Sequence, residues 1–474
     1  MLSSLELYNL LPVSLQNLAC SVQGWRDTRV RYGRCFESNL ASLLESERLP
    51  AADITELQNE RLRSLIAHAY ETVPYYRTRM RGLRLTPADI QTAADLPKLP
   101  LLTKEQVRAN FDQLQSSAAR SSQRVLRHTS GTTGKSLNFY SSPESIAFQW
   151  AVWWRHRSRF GLHPGDLHAN FTGKLVAPAG QQHPPYWRWN WPARQALINM
   201  QHVTAAHAPA IVSFLGHHEF GFYSGYPSIV HALALTATEQ GLELDSRPRV
   251  VVTGAEPLYD FQKRDIARFT GALLTDQWGF SEGAGNASQC EHFRYHEDPE
   301  FGILECADPQ SLPDGRISGK LVCTGFANRV FPFVRYEVGD TAVWEPPGYR
   351  CPCGRQSRVL ASIDGRNEDF VLTPEGCRIA RFDYIFKEAG HVRECQVVQK
   401  EWGVVTLRVV RRPAYGLADE RLLLSEIARW ISPSLIVHFE YVSEIEREPN
   451  GKFRAVKSLL NGRSAHVSGY AKPQ

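Results

Sequence analysis

Two sets of side chains in this sequence have types and spacing that could do chemistry. Between Thr129 and Ser136 the chain reads Thr-Ser-Gly-Thr-Thr-Gly-Lys-Ser. Small residues there let backbone N–H groups approach a polyphosphate, and hydroxyls with one lysine add donors and charge. This is not a Walker A loop: Thr129 stands where that loop needs glycine, and Leu137-Asn138-Phe139-Tyr140 alternates like a strand where a helix should open. The plain alternative is a Gly/Ser/Thr hairpin turn. The second set is discontinuous: Cys290 and His296, six apart, then Cys351 and Cys353, two apart with Gly354 next. Three thiolates and one imidazole make a closed tetrahedral zinc site, structural because no position is left for water. Against zinc stand ordinary buried thiols with a surface histidine, and Cys-x-Cys is tighter than the usual Cys-x-x-Cys. His292 is a competing ligand.

The elements that must position these groups fit an α/β protein. Apolar residues recur at helical spacing through Leu62, Leu65, Ile66, Ala69 and Tyr70, predicting a helix over 60–80 that Pro74 interrupts with a turn. The run Val250-Val251-Val252-Thr253 ends at Gly254, a helix is expected over Phe261–Phe269, and a second short strand over Ala272–Asp276 leads to Trp278. Strand, helix, strand is the order in which an α/β sheet presents a ligand site at its carboxyl edge. Beyond Arg366 the expected elements shorten: strands at Phe370–Leu372, Val397–Gln399 and Val404–Val410, and helices near Phe382–Glu388 and Glu420–Trp430. A boundary near Asp364–Glu368 divides the 474 residues into a large domain, 1–365, and a small one, 366–474.

Composition narrows the function classes. Hydrophobic residues at 43% and charged ones at 22% are those of an ordinary globular chain. Lys and Arg number 54 against 49 Asp and Glu, too slight an excess to argue for nucleic acid. Nine scattered cysteines suit reduced thiols better than a disulfide framework. The first 20 residues lack the basic start and unbroken apolar run of a signal peptide, and no stretch is long enough to span a membrane, so a cytoplasmic location is expected.

The 129–136 stretch resembles the phosphate loop of adenylate-forming enzymes, and the other signature elements of that superfamily follow in order. Gly254-Ala255-Glu256 resembles the segment lining the adenine pocket. Asp276-Gln277-Trp278-Gly279-Phe280-Ser281-Glu282 resembles the aromatic-Gly-x-Ser/Thr-Glu motif, with Trp278 in place of the commoner tyrosine. Tyr336-Glu337-Val338-Gly339-Asp340 resembles the Tyr-x-x-Gly-Asp motif, Gly365-Arg366-Asn367-Glu368-Asp369 the hinge, with Glu368 for the commoner aspartate, and Asn450-Gly451-Lys452 the C-terminal lysine motif. The resemblance implies an adenylate-forming fold whose small, mobile α+β domain closes over the nucleotide. It places ATP on Thr129, Ser130, Gly131, Thr132, Thr133, Gly134 and Lys135. It lines the adenine pocket with Gly254, Ala255 and Glu256, stacks Trp278 on the adenine, gives Gln277, Gly279 and Ser281 to nucleotide binding, and assigns the ribose to Asp340. Magnesium is assigned to Glu282, ribose and phosphate contacts to Arg366, the interdomain pivot to Glu368, and catalysis of adenylation to Lys452.

Val73-Pro74-Tyr75-Tyr76-Arg77, Gly225-Tyr226-Pro227-Ser228 and Cys351-Pro352-Cys353-Gly354-Arg355 are similar to the phenylacetate-CoA ligase group. Phe171-Thr172-Gly173-Lys174 and Pro184-Pro185-Tyr186-Trp187-Arg188 look like its branch associated with capsular polysaccharide biosynthesis. Similar Cys and His positions in that group favour zinc at Cys290, His296, Cys351 and Cys353. The glycine-rich aryl-pocket stretch of true phenylacetate ligases is not recognisable, which counts against phenylacetate itself. Tyr226 and His202 are the candidates for the acyl side; a core histidine satisfied by backbone is the plainer reading of His202. The implied reaction is ATP-dependent formation of acyl-AMP with release of pyrophosphate, followed by transfer to coenzyme A or directly to an amine or hydroxyl acceptor. No nucleic-acid partner is expected, and a homodimer is compatible with the sequence. A non-catalytic nucleotide-binding scaffold is disfavoured by the presence of both Lys452 and Glu282.

Overall fold

The computed structural model describes residues 4–460 except 130–136, 173–175, 179, 200–201, 367–370, 375–377, 380–384, 386–388 and 448–452. The chain divides into two compact units at Gly365 and Arg366.

The first unit is built on a mixed sheet of twelve strands. Its central strands Leu273–Gly279, Val250–Gly254, Phe222–Gly225, His168–Thr172 and Gln195–Asn199 run parallel. Parallel strands are buried on both faces, and alternation decides which side chain goes where. Phe222, Val250 and Val252 pack with Val152 and Trp154 of helix Pro143–Ser158. Their neighbours Tyr223 and Val251 pack on the other face with Leu233 and Ala234 of helix Pro227–Glu239 and with Ile266 of helix Asp260–Thr270. The predicted strand-helix-strand order is thus present, the second strand running on through Trp278 to Gly279.

Pro74 does not end a helix in a turn. It opens a second one: Ala51–Thr72 stops, Val73 is extended, and Pro74 takes the first position of Pro74–Gly82, where its missing N–H costs nothing. The outermost strand, Trp187–Asn190, is blunted by helix Val13–Arg31. Asn17 accepts from the Trp189 N–H at 2.9 Å, and Ser21 donates to the Trp189 carbonyl while accepting from the Trp191 N–H.

Beneath the sheet lies a fully buried guanidinium, that of Arg155. It donates to Glu300 at 2.8 and 2.9 Å, to Asp298 at 2.6 Å and to the Leu43 carbonyl. The other oxygen of Asp298 accepts from Asn286 and Ser288, which ties the helix to strand Asn286–Gln289. Arg155 holds the Glu300 carboxyl down at about 2, against the opposing effect of burial. Asp276, on the central strand, is the opposite case. Burial pushes its carboxyl up to about 6 even though Thr253 and Tyr295 both donate to it at 2.6 Å.

The second unit carries a four-stranded sheet in the order Ile436–Tyr441, Val404–Arg411, Val392–Glu401, Val456–Ser458. Val397, Val405, Leu407 and Val409 share a core with Leu423 and Ile427 of helix Leu417–Trp430. The strands expected at Val397–Gln399 and Val404–Val410 and the Glu420–Trp430 helix are present with longer bounds; of the strand expected at Phe370–Leu372 the described part is Val371–Leu372, paired with Arg378–Ile379, and the helix expected near Phe382–Glu388 lies largely outside the described residues. No helix among the described residues is long and apolar enough to cross a membrane.

Two outcomes follow from the buried charges. Arg155→Leu removes the buried cation that Asp298 and Glu300 share and should cost about 3–5 kcal/mol in denaturant unfolding, whereas Arg63→Leu, which removes the exposed pair with Glu56, should cost under about 1 kcal/mol. Asp276 has a native pKa above its unfolded value, so its linkage term is fully present below about pH 4 and is lost as pH rises through about 6, amounting to about 3 kcal/mol. Asp276→Asn should therefore gain stability relative to wild type at pH 7.5 but not at pH 4; an equal effect at both values would refute this account.

Candidate functional site

The carboxyl edge of the parallel strands gathers most of the nucleotide-binding candidates. Strand Leu273–Gly279 delivers Gln277, Trp278 and Gly279, and the turn after it delivers Ser281 and Glu282. The register is set from below. His156 lies within hydrogen-bond distance of Gln277 Oε1 (3.1 Å) and Thr275 Oγ1 (2.9 Å), and burial keeps the imidazole neutral. Gly279 is required by close approach: a Cβ there would sit 2.5 Å from the Asn286 side-chain oxygen, which already accepts from Trp153.

Trp278 does not stand alone. Its indole N–H donates to Asp340 at 2.8 Å, joining two residues 62 apart in sequence, and its ring lies against Phe280. Asp340 comes from strand Tyr336–Trp344, whose first residue supplies the second link: the Tyr336 hydroxyl donates to Glu282 at 2.7 Å. Burial, reinforced by Glu282, pushes the Tyr336 phenol far up, so it stays a donor. The Glu282 charge also acts on the partly buried Arg127, opposing the loss of basicity that burial causes there. Tyr336, Arg127 and His156 were not among the expected site residues, although Tyr336 is itself the tyrosine of the motif that ends at Asp340.

Strand Val250–Gly254 ends in Gly254-Ala255-Glu256, where Ala255 takes the left-handed conformation at φ 69°. A non-glycine residue in that region costs about 1 kcal/mol and is found where the surroundings over-determine the backbone. Here Glu256 accepts from the Ser228 N–H at the start of helix Pro227–Glu239, so its carboxylate serves that helix terminus. Tyr226 is the residue preceding this helix; burial and then Glu256 raise its phenol pKa. His202 lies in the same half of the unit, fully buried and stacked on Tyr186 at 5.1 Å, with His207 at 5.6 Å. The structure does not bring His202 against the Trp278–Asp340 pair.

Of the phosphate loop only Thr129 is described. Strands Val125–His128 and Asn138–Ser141 pair antiparallel, and Thr129 closes them through two bonds to Leu137. Ser130, Gly131, Thr132, Thr133, Gly134 and Lys135 lie outside the described residues, as do Glu368 and Lys452. Arg366 ends strand Val359–Arg366, and its side chain also lies outside them.

The cysteine and histidine candidates converge. The ligand atoms of Cys290, His296, Cys351 and Cys353 all lie within 4.8 Å of one another. Cys290 Sγ and Cys351 Sγ are 3.7 Å apart, close to the separation of about 3.8 Å that two 2.3 Å zinc–sulfur bonds subtend at a tetrahedral centre. Cys353 Sγ lies 3.3 Å from His296 Nε2, and Ser357 steadies the other ring nitrogen. Burial, with Arg159 and Arg355 nearby, holds His296 down at about 3, in the neutral form that binds metal. His292 is not in the cluster; its backbone N–H points at the Cys290 sulfur.

Comparison with known proteins agrees with this geometry. Residues 371–459 match the CapK C-terminal domain. Protein CapK of Staphylococcus aureus is 25% identical over 455 residues, covering 94% of this chain and 98% of that protein. The phenylacetate-coenzyme A ligase of Thermus thermophilus is 26% identical over 342 residues, covering 69% and 74% respectively. Among solved structures, 2-hydroxyisobutyryl-CoA ligase in its postadenylation state superposes with a TM-score of 0.68 at 20% identity, over 87% of this chain and 91% of that one. An anthranilate CoA ligase with bound anthranoyl-AMP gives 0.50 at 14% identity, over 80% and 74%. The chain has the fold of the adenylate-forming CoA ligases and is related in sequence to the phenylacetate-CoA ligases and, along nearly its whole length, to protein CapK.

Proposed function

We propose that the protein activates a carboxylic acid with ATP, forming acyl-AMP and releasing pyrophosphate, and then passes the acyl group to coenzyme A. The observation that carries this reading is the Trp278–Asp340 bond, which holds an aromatic face and a carboxylate side by side at the sheet's carboxyl edge, the pair of groups a nucleoside needs. Trp278 stacks on the adenine and Asp340 accepts from the ribose hydroxyls. Attack of a carboxylate oxygen on the α-phosphorus brings two anions together, so the protein's contribution is positioning and positive charge. Lys135, Arg366 and Lys452 supply that charge, and the 129–135 backbone cradles the phosphates. Glu282, held by Tyr336, offers the hard oxygen that magnesium prefers, and the ion when bound neutralises the polyphosphate. Glu368 serves as the pivot, and Tyr226 and His202 line the acyl side. Cys290, His296, Cys351 and Cys353 hold a structural zinc whose coordination is closed to substrate.

The relationship to CapK spans far more of this chain than that to the phenylacetate ligases, which favours a second reading for the final acceptor: an amine or hydroxyl, such as an amino sugar of a polysaccharide precursor.

Pyrophosphate release from ATP, assayed across a panel of carboxylic acids, should require an acid and fall at least about a hundredfold in Lys452→Ala. Stimulation by coenzyme A would identify the thiol acceptor; stimulation by an amino sugar instead would establish the second reading. Release of orthophosphate from the γ-position would remove adenylation altogether. For the metal, freshly purified protein should carry about one zinc per chain, and Cys351→Ser should lose most of it with a lower Tm. Protein free of zinc as isolated, with an unchanged Tm on chelation, would contradict a structural metal.

A further inference from the structure

Helix Val13–Arg31 is folded inside out for a surface helix. The side chains it turns toward the protein are polar or small: Gln16, Ser21 and Gly24 are buried. The face it turns to solvent carries Leu15, Leu18, Val22 and Trp25 at helical spacing, Leu18 and Trp25 about half exposed at 52% and 50%, with Ser14, Gln23, Arg26 and Arg29 also exposed around them. Leu7, Leu10 and Leu11 continue the exposed apolar surface toward the N-terminus, and Trp191 adds a second exposed indole beside Ser21. A stripe of this length at helical spacing is the kind of patch that marks a docking surface.

Charge indicates what covers it. From Leu7 to Arg34 the sequence holds four arginines and one acid, Asp27. Asp27 is engaged by Arg31 at 2.9 Å, while Arg26 and Arg29 are exposed, Arg29 with its guanidinium 4.8 Å from the Trp25 ring centre. A second copy of this helix would bring as its one acid Asp27, which Arg31 already engages. A polyanionic surface with an apolar interior satisfies both halves of the pattern. Leucines and valine enter the acyl boundary, the indoles sit at the headgroup level, and the arginines reach phosphates.

We infer that helix Val13–Arg31 docks the protein on an anionic lipid bilayer, lying in the plane of the interface with its Leu15–Trp25 face inserted. The helix is too short of apolar residues to cross, and its inward face is committed to the edge strand, so it lies on the membrane rather than spanning it.

The test is cosedimentation of the full chain with vesicles of phosphatidylcholine alone or with about 30% phosphatidylglycerol. Binding to the anionic vesicles is expected, weakening as salt rises. Leu18→Glu with Val22→Glu should lower partitioning at least about tenfold, and Arg26→Glu with Arg29→Glu should remove the preference for anionic lipid. Leu18→Ala with Val22→Ala, which keeps helix propensity and brings no charge to the half-exposed positions, should also weaken binding about tenfold and serves where the acidic pair fails to fold. Absence of binding to anionic vesicles, or equal binding to both compositions, overturns the inference. So does a dimer in sedimentation velocity that Leu18→Glu dissociates, since the stripe is then a contact between copies.

Discussion

A guanidinium cannot be taken out of water without anions to meet it, and Arg155 is completely buried. That constraint organises the first unit. Asp298 and Glu300 must approach helix Pro143–Ser158, and Asp298 in turn fixes Asn286 and Ser288 of the adjacent strand. The Leu43 carbonyl takes a further donor, which brings helix Phe36–Ser46 under the sheet. Helix Pro143–Ser158 then presents His156 to Gln277 and Trp153 to Asn286, one turn of side chains locking the strand that carries Trp278. The ion cluster contributes little net stability against a well-packed apolar alternative.

At the carboxyl edge the two site carboxylates are held by aromatic donors: Trp278 bonds Asp340 and Tyr336 bonds Glu282. An indole or a phenol orients a carboxylate without cancelling its charge, as a lysine or arginine in direct contact would. Under the proposed function, that orientation turns Glu282 toward a metal ion and Asp340 toward sugar hydroxyls. Ala255 fits the same scheme. Its left-handed backbone turns the chain so that Glu256 reaches the Ser228 N–H, leaving Gly254 packed so tightly on strand Leu273–Gly279 that a Cβ would lie 2.9 Å from the Gln277 carbonyl.

What could be read from sequence was local or ordered along the chain. The β-branched run at 250–253, the helix that follows it and the order of the motifs placed Trp278, Glu282 and Asp340 in one neighbourhood, and the Cys and His spacing named the four residues whose ligand atoms converge. What could not be read depends on contacts between distant segments. Arg155 and Glu300 are 145 residues apart, and nothing in either local pattern announces the other. Tyr336 looked like motif spelling until Glu282 was seen at its hydroxyl. Pro74 reads as a stop by its chemistry, yet an extended Val73 lets it start the next helix instead.

The N-terminal helix shows how a local rule inverts under a non-local demand. Periodicity places the apolar stripe of a helix toward the core, and by that rule Leu15, Leu18, Val22 and Trp25 belong inside. The edge strand Trp187–Asn190, however, presents unpaired N–H and C=O groups that an apolar face cannot satisfy. Asn17 and Ser21 can satisfy them, Gln16 accepts from the buried Arg188 at 2.6 Å, and Gly24 lets the helix close on Asn190. Hydrogen-bond satisfaction therefore chose the inward face, and the apolar residues went outward as the geometric remainder. About half of each of these side chains still faces solvent, at 45–52% exposure, which leaves apolar area uncovered. That four apolar residues at helical spacing hold those positions is the reason to assign the face a partner of its own.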